Sequence, residues 1–166
     1  MARIELSDLA HSYKKGASAL ADFALKPMTL TWRQGGAYAL LGPSGCGKTT
    51  LLNIISWLLV PSHGRVLFDG QDIKDATLHS VRDRIAYVSQ DTFLFDGSVM
   101  HNIRMGRQGA TDEEVIDAAK AANAHAFIEA LPEGYHTSVG ENGILLSGGQ
   151  RQRISIARAM LRNAQI

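Results

Sequence analysis

From Arg3 to Leu9 apolar and polar residues alternate, the spacing of a strand with one buried face. Leu25 to Trp32 predicts a second strand, and Ala37 to Leu41 a short apolar one that ends at Gly42. A glycine-rich turn follows and the period changes. Lys48 to Leu59 reads as a helix, broken by Pro61, Ser62, His63 and Gly64. Arg65 to Phe68 and Ile85 to Ser89 predict two more strands, the first closed by Asp69 and Gly70. A strand, a glycine-rich turn and a helix in succession make the pattern of an α/β nucleotide-binding core.

The character changes from Asp96 onward. Thr111, Asp112, Glu113 and Glu114 form a capping-box sequence, in which the threonine hydroxyl and the Glu114 carboxylate satisfy the first free amides of a helix. Val115, Ile116, Ala118, Ala119 and Ala122 continue at helical spacing, His125 to Leu131 forms a second helical piece before Pro132, and Gly134 to Gly143 reads as loop. A last helix runs from near Gly149 to about Arg162. On its apolar face lie Ile154, Ala157 and Leu161, which predicts a solvated face for the arginines from Arg151 and Arg153 to Arg162 rather than a nucleic-acid stripe. The organisation expected is an α/β core over residues 1–95, a helical subdomain over 96–148 and a final helix over 149–166.

Composition narrows the function classes. With 45% hydrophobic and 20% charged residues the chain has an ordinary globular mix, and its net charge of +1 argues against a protein that coats nucleic acid or anionic membrane. The single cysteine, Cys46, excludes a disulfide framework, and the six scattered histidines show no zinc spacing. The greasiest stretch, Leu51 to Val60, is half the roughly 20 residues a bilayer span needs. The expectation is a cytoplasmic chain that meets a membrane only through a partner. Glycine is in excess, at 16 residues, and its placement carries the chemistry.

Gly42, Pro43, Ser44, Gly45, Cys46, Gly47, Lys48 and Thr49, followed by Thr50, fit the pattern G-x-x-x-x-G-K-[ST]. The glycines let the backbone curl so that several N–H groups face one anion, and the helix that follows brings its positive end to the same place. Lys48 adds a mobile cation for β- and γ-phosphates, and Thr49 a hydroxyl for Mg²⁺. A second glycine turn, Leu146, Ser147, Gly148, Gly149 and Gln150, opens the last helix. By itself it reads first as a capped helix start, and its geometry also suits an anion.

Together the two motifs resemble those of the ATP-binding cassette (ABC) ATPases, whose signature is LSGGQ, and the resemblance extends over nearly the whole chain. It implies a P-loop NTPase fold with an N-terminal antiparallel β region and an inserted helical subdomain. It further implies ATP and Mg²⁺ as cofactors, Tyr13 against adenine, Gln90 at Mg²⁺ and water, and catalytic parts for Lys48, Gln90 and Ser147. Two cassettes face each other in this family, so Ser147, Gly148, Gly149 and Gln150 would serve the partner's nucleotide. Transmembrane subunits are expected at the Gln90 loop and the helical region, and no nucleic acid.

Two departures from the family pattern qualify this expectation. Residues 1–73 look like importer ATPase subunits, whereas residues 78–166, with Phe95-Asp96-Gly97 and Val139-Gly140-Glu141, look like exporter cassettes. Trp57 stands where the importer pattern has glycine. The resemblance also implies an apolar strand ending in Asp-Glu after the last helix and a histidine one strand later. Asn163 to Ile166 stop at the threshold of that strand, so the fold is expected to be incomplete at its C-terminus and the chain to bind ATP without hydrolysing it alone. A non-catalytic nucleotide-binding or dimerisation module, or a chimeric fragment, is the alternative. A repair or translation ATPase is disfavoured, because neither a long coiled coil nor a second cassette is present.

Overall fold

The computed structural model describes residues 3–17, 19–33, 35–89 and 91–166. The chain divides into two compact units, Met1–Ile85 with Gln165–Ile166, and Ala86–Ala164.

The first unit is built on an antiparallel sheet of strands β1 (Ile4–His11), β2 (Leu25–Trp32), β3 (His63–Phe68) and β4 (Gln71–Asp72), in the order β2-β1-β3-β4. Leu6 on β1 stands opposite Leu30 on one side and Val66 on the other. Leu6 and Leu9 are three positions apart and a regular strand would send them to opposite faces, yet both are buried. An irregularity between them, with Asp8 at φ 46°, resets the alternation. Thr29 Oγ1 accepts from the displaced Asp8 N–H at 3.0 Å. Gly64 on β3 fits the kink because any Cβ there would meet the Asp8 carbonyl oxygen at 2.3 Å.

Helix α1 (Lys48–Ile55) adds Leu51, Ile54 and Ile55 to the same core as Leu6, Leu9, Val66 and Phe68. It ends earlier than the sequence pattern suggests. Trp57 N–H donates to the Ile54 carbonyl at 3.0 Å and Leu58 N–H to the Asn53 carbonyl at 2.8 Å, a Schellman closure. The closing residue must be left-handed, and here it is Trp57 at φ 57°, with its indole packed against the core. Helix α2 (Leu78–Asp83), capped by Thr77, contributes Val81.

The strands predicted at Ala37–Leu41 and Ile85–Ser89 are not formed. A buried strand needs a neighbour for each row of backbone N–H and C=O groups. Among the described strands none runs beside either stretch, and Leu41 and Tyr38 remain exposed.

The second unit is helical: α3 (Val99–Arg104), α4 (Asp112–Ala121), α5 (His125–Glu129) and α6 (Gly148–Arg162). Helix α4 starts with the capping box expected of Thr111 and Glu114. Helix α6 lays Ile154, Ala157 and Leu161 into a core with Val99, Ile103 and Val115. It comes so close to the end of α3 that a Cβ on Gly106 would meet the Arg158 carbonyl oxygen at 2.1 Å.

The α6 arginines do not form the solvated face expected of them. Arg151, Arg153, Arg158 and Arg162 are half-buried. Arg153 lies over the Phe127 ring at 4.8 Å, and Arg151 donates to the Leu146 carbonyl at 2.7 Å. Long stems that cover apolar surface while the guanidinium caps carbonyls escape a reading based on helical periodicity alone.

Candidate nucleotide site

Residues 42–46 form an exposed turn that Gly47 joins to α1. Gly47 is left-handed at φ 91°, and a Cβ there would sit 2.5 Å from the Ala24 carbonyl oxygen at the entry to β2. Backbone conformation and close approach both demand glycine at this position. Gly45 is left-handed too, at φ 79°, but open space surrounds it. At Gly42 a Cβ would meet the Cys46 sulfur at 2.6 Å.

Lys48 curls back over this turn. Its ammonium donates to the Gly42 and Pro43 carbonyls, each at 2.8 Å, and lies 3.6 Å from Cys46 Sγ. The first-turn amides of a helix have no intrahelical acceptor, so the start of α1 presents N–H groups and the positive end of its dipole beside that ammonium. Thr49 is exposed and Thr50 is buried beneath it. A hollow of about 520 Å³ flanks the turn, bordered by Phe23, Ala24, Pro43, Ser44, Gly45 and Cys46. Free helix-start amides and one mobile cation beside an open turn are the chemistry that suits a polyanion.

Tyr13 belongs to the same unit, in the turn that leaves β1. It is 67% exposed and borders a second hollow of about 370 Å³ with Lys14, Lys15, Ser62 and His63. Ser12 ties this turn down by donating to the Asp22 carbonyl at 2.6 Å and accepting from Lys14 N–H at 3.1 Å. The Lys14 ammonium bonds the Asp22 carboxylate at 2.8 Å, which holds its pKa above the ordinary lysine value.

Ser147 to Gln150 lie in the other unit, at the start of α6. Ser147 Oγ accepts from Gln150 N–H at 3.3 Å, and Gln150 Oε1 accepts from Ser147 N–H at 2.8 Å. In that capping box the serine oxygen is an acceptor, so its own O–H remains a donor for a ligand. Gly148 and Gly149 are exposed, and around Gly149 there is open space. Gln90 lies outside the described residues.

Sequence reasoning missed Asn102, a fully buried polar residue on α3 that bonds Arg158. The signal available was an asparagine set between the apolar residues Val99, Met100 and Ile103 of a short helix.

Residues 25–166 match the protein family described as ABC transporter. The chain is 54% identical over 163 residues to an uncharacterized ABC transporter ATP-binding protein, y4gM, of Sinorhizobium fredii, covering 98% of this chain and 27% of that protein. It is 48% identical over 164 residues to an ATP-dependent lipid A-core flippase of Syntrophus aciditrophicus, covering 99% of this chain and 26% of the flippase. A solved bacterial Atm1-family ABC exporter with ATP bound superposes with a TM-score of 0.90 at 37% identity, over 98% of this chain and 28% of that one. The two relatives and the solved exporter each match 98–99% of this chain, and the chain spans about a quarter of the length of the relatives. The family match over most of the chain and the shared fold together establish that this protein belongs to the ABC transporter family.

Proposed function

We propose that this chain is the ATP-binding domain of an exporter-type ABC transporter, in which ATP binding and hydrolysis drive passage of a solute across a membrane. The observation that carries the reading is the Lys48 ammonium held over the Gly42 and Pro43 carbonyls at the positive end of α1. Those two carbonyls are weak partners for a cation, and an anion offered to the loop replaces them. The donor set therefore fits a triphosphate, and the exposed Thr49 hydroxyl fits a protein ligand of a phosphate-bound Mg²⁺.

In this reading the loop amides from Ser44 to Thr50 and Lys48 hold the phosphates, Thr49 and Gln90 serve Mg²⁺, and Tyr13 gives the adenine a flat apolar face. Mg-ATP supplies a γ-phosphoryl group whose transfer to water needs a positioned metal and nucleophile. Ser147, Gly148 and Gly149 bind the γ-phosphate of a second cassette, so the working unit is a dimer. Its transmembrane subunits dock near Gln90 and the helical unit and hold it at the cytoplasmic face. Among the described residues, the hollow beside the loop has Lys26 as its one charged lining residue. In this reading the chain by itself binds Mg-ATP without turnover.

Equilibrium dialysis of the full chain against Mg-ATP and against inorganic tripolyphosphate tests this. Binding of both, tighter for ATP, is expected. If neither binds, the proposal fails. Steady phosphate release that disappears in Lys48→Ala would overturn the statement about turnover.

A further inference from the structure

His11 is the last residue of β1, and only 7% of it is exposed. Neither ring nitrogen has a hydrogen-bond partner among the described residues. An apolar side chain in this place would avoid the cost of burying two unpaired polar atoms, so space-filling alone does not account for an imidazole. Its one ring contact among the described residues is Tyr13: the centroids are 4.6 Å apart and the planes stand at 81°. In that arrangement the positive edge of one ring meets the negative face of the other.

Tyr13 needs such a contact. It is 67% exposed, and among the described residues its side chain makes no hydrogen bond and no other ring contact. A freely rotating ring must be ordered when a base stacks on it, and ordering it beforehand strengthens binding. His11 itself cannot move far, because Leu25 is its register partner on β2 and the neighbouring Ala10 pairs with His63 on β3.

We infer that His11 is a positioning residue for base binding, whose buried ring sets the plane of Tyr13. This rests on the reading of Tyr13 as the adenine platform.

Four forms of the full chain decide it: wild type, His11→Leu, His11→Phe and Tyr13→Ala, each titrated with Mg-ATP and with inorganic tripolyphosphate. Leucine fills the space without an aromatic edge, so ATP affinity falls about three- to tenfold while tripolyphosphate affinity is unchanged. Phenylalanine restores the edge and keeps ATP affinity within about twofold of wild type. The inference is overturned if His11→Leu binds ATP like wild type while Tyr13→Ala does not. It is also overturned if leucine and phenylalanine weaken ATP alike, or if tripolyphosphate affinity falls in step with ATP, since His11 would then act on the fold as a whole. If Tyr13→Ala leaves ATP affinity intact, the platform reading itself fails, and this inference with it.

Discussion

Arg158 reaches Asn102 through two bonds, Nε to the backbone carbonyl and Nη2 to Oδ1, each at 2.9 Å. Asn102 in turn bonds the N–H and the carbonyl of Phe95, both at 2.9 Å, and Arg158 also donates to the Phe93 carbonyl at 3.2 Å. The helix that begins with Ser147 is thereby tied through one buried amide to the 93–95 segment, and burial lowers the Arg158 pKa. Asn102→Ala removes the Oδ1 partner of Arg158 Nη2 and both partners of the Phe95 backbone, while Arg158 keeps its bonds to the residue-102 and Phe93 carbonyls. It should cost about 2–4 kcal/mol and lower the midpoint of the helical unit by roughly 10 °C or more, followed by thermal unfolding. A shift of only a degree or two would show that the node is not structural.

Trp57 separates a backbone cost from a packing gain. Its φ of 57° costs about 1–2 kcal/mol for a residue with a Cβ, while its indole packs on the core of the first unit. Trp57→Ala keeps the strain and loses the packing, whereas Trp57→Gly loses both. The glycine variant should be the more stable of the two by about 1 kcal/mol in urea denaturation. The reverse order would mean that position 57 is not left-handed in solution.

Two glycines of the 42–47 turn should respond differently to alanine. At Gly45 only the left-handed φ resists a methyl, so Gly45→Ala costs about 1–2 kcal/mol and leaves the chain folded. At Gly47 the methyl also meets the Ala24 carbonyl oxygen at 2.5 Å, and either β2 or α1 must shift. Gly47→Ala is expected to show the larger drop in melting temperature and the larger loss of ATP affinity.

Tyr135 gives the helical unit an alkaline limit. Burial, with the negative charges of Glu129 and Asp117 adding to it, pushes its phenol up to about 12 from 10.0. The unfolded chain therefore releases this proton first as pH rises. The stabilisation is complete below pH 10 and drains away between pH 10 and about 12. Tyr135 also bonds His125 Nδ1 at 2.8 Å, so Tyr135→Phe is less stable at neutral pH. Its stability should nevertheless fall less steeply than that of wild type across the alkaline range, as measured by urea midpoints against pH.

Features whose cause is local were legible from the residues. The Thr111–Glu114 and Ser147–Gln150 caps close within three residues, and the glycine pattern 42–47 announces its own turn. Strand β1 showed itself by alternation, although the reset at Asp8 did not, because it depends on the close approach of Gly64 from β3. The apolar runs 37–41 and 85–89 suggested strands, but a strand exists only with a neighbour, and single-segment patterns say nothing of neighbours. Asn102 and His11 escaped notice for a related reason: their meaning lies in Arg158 and Tyr13, which they meet only after folding.

Calorimetric titration of Mg-ATP into the full chain and into Lys48→Ala tests the central claim, with the melting temperature of each as the control for folding. The ammonium over the Gly42 and Pro43 carbonyls is the loop's mobile cation, and its removal should weaken binding by at least about 30-fold, to no measurable heat. A Lys48→Ala variant that melts like wild type and binds Mg-ATP with unchanged affinity would contradict it.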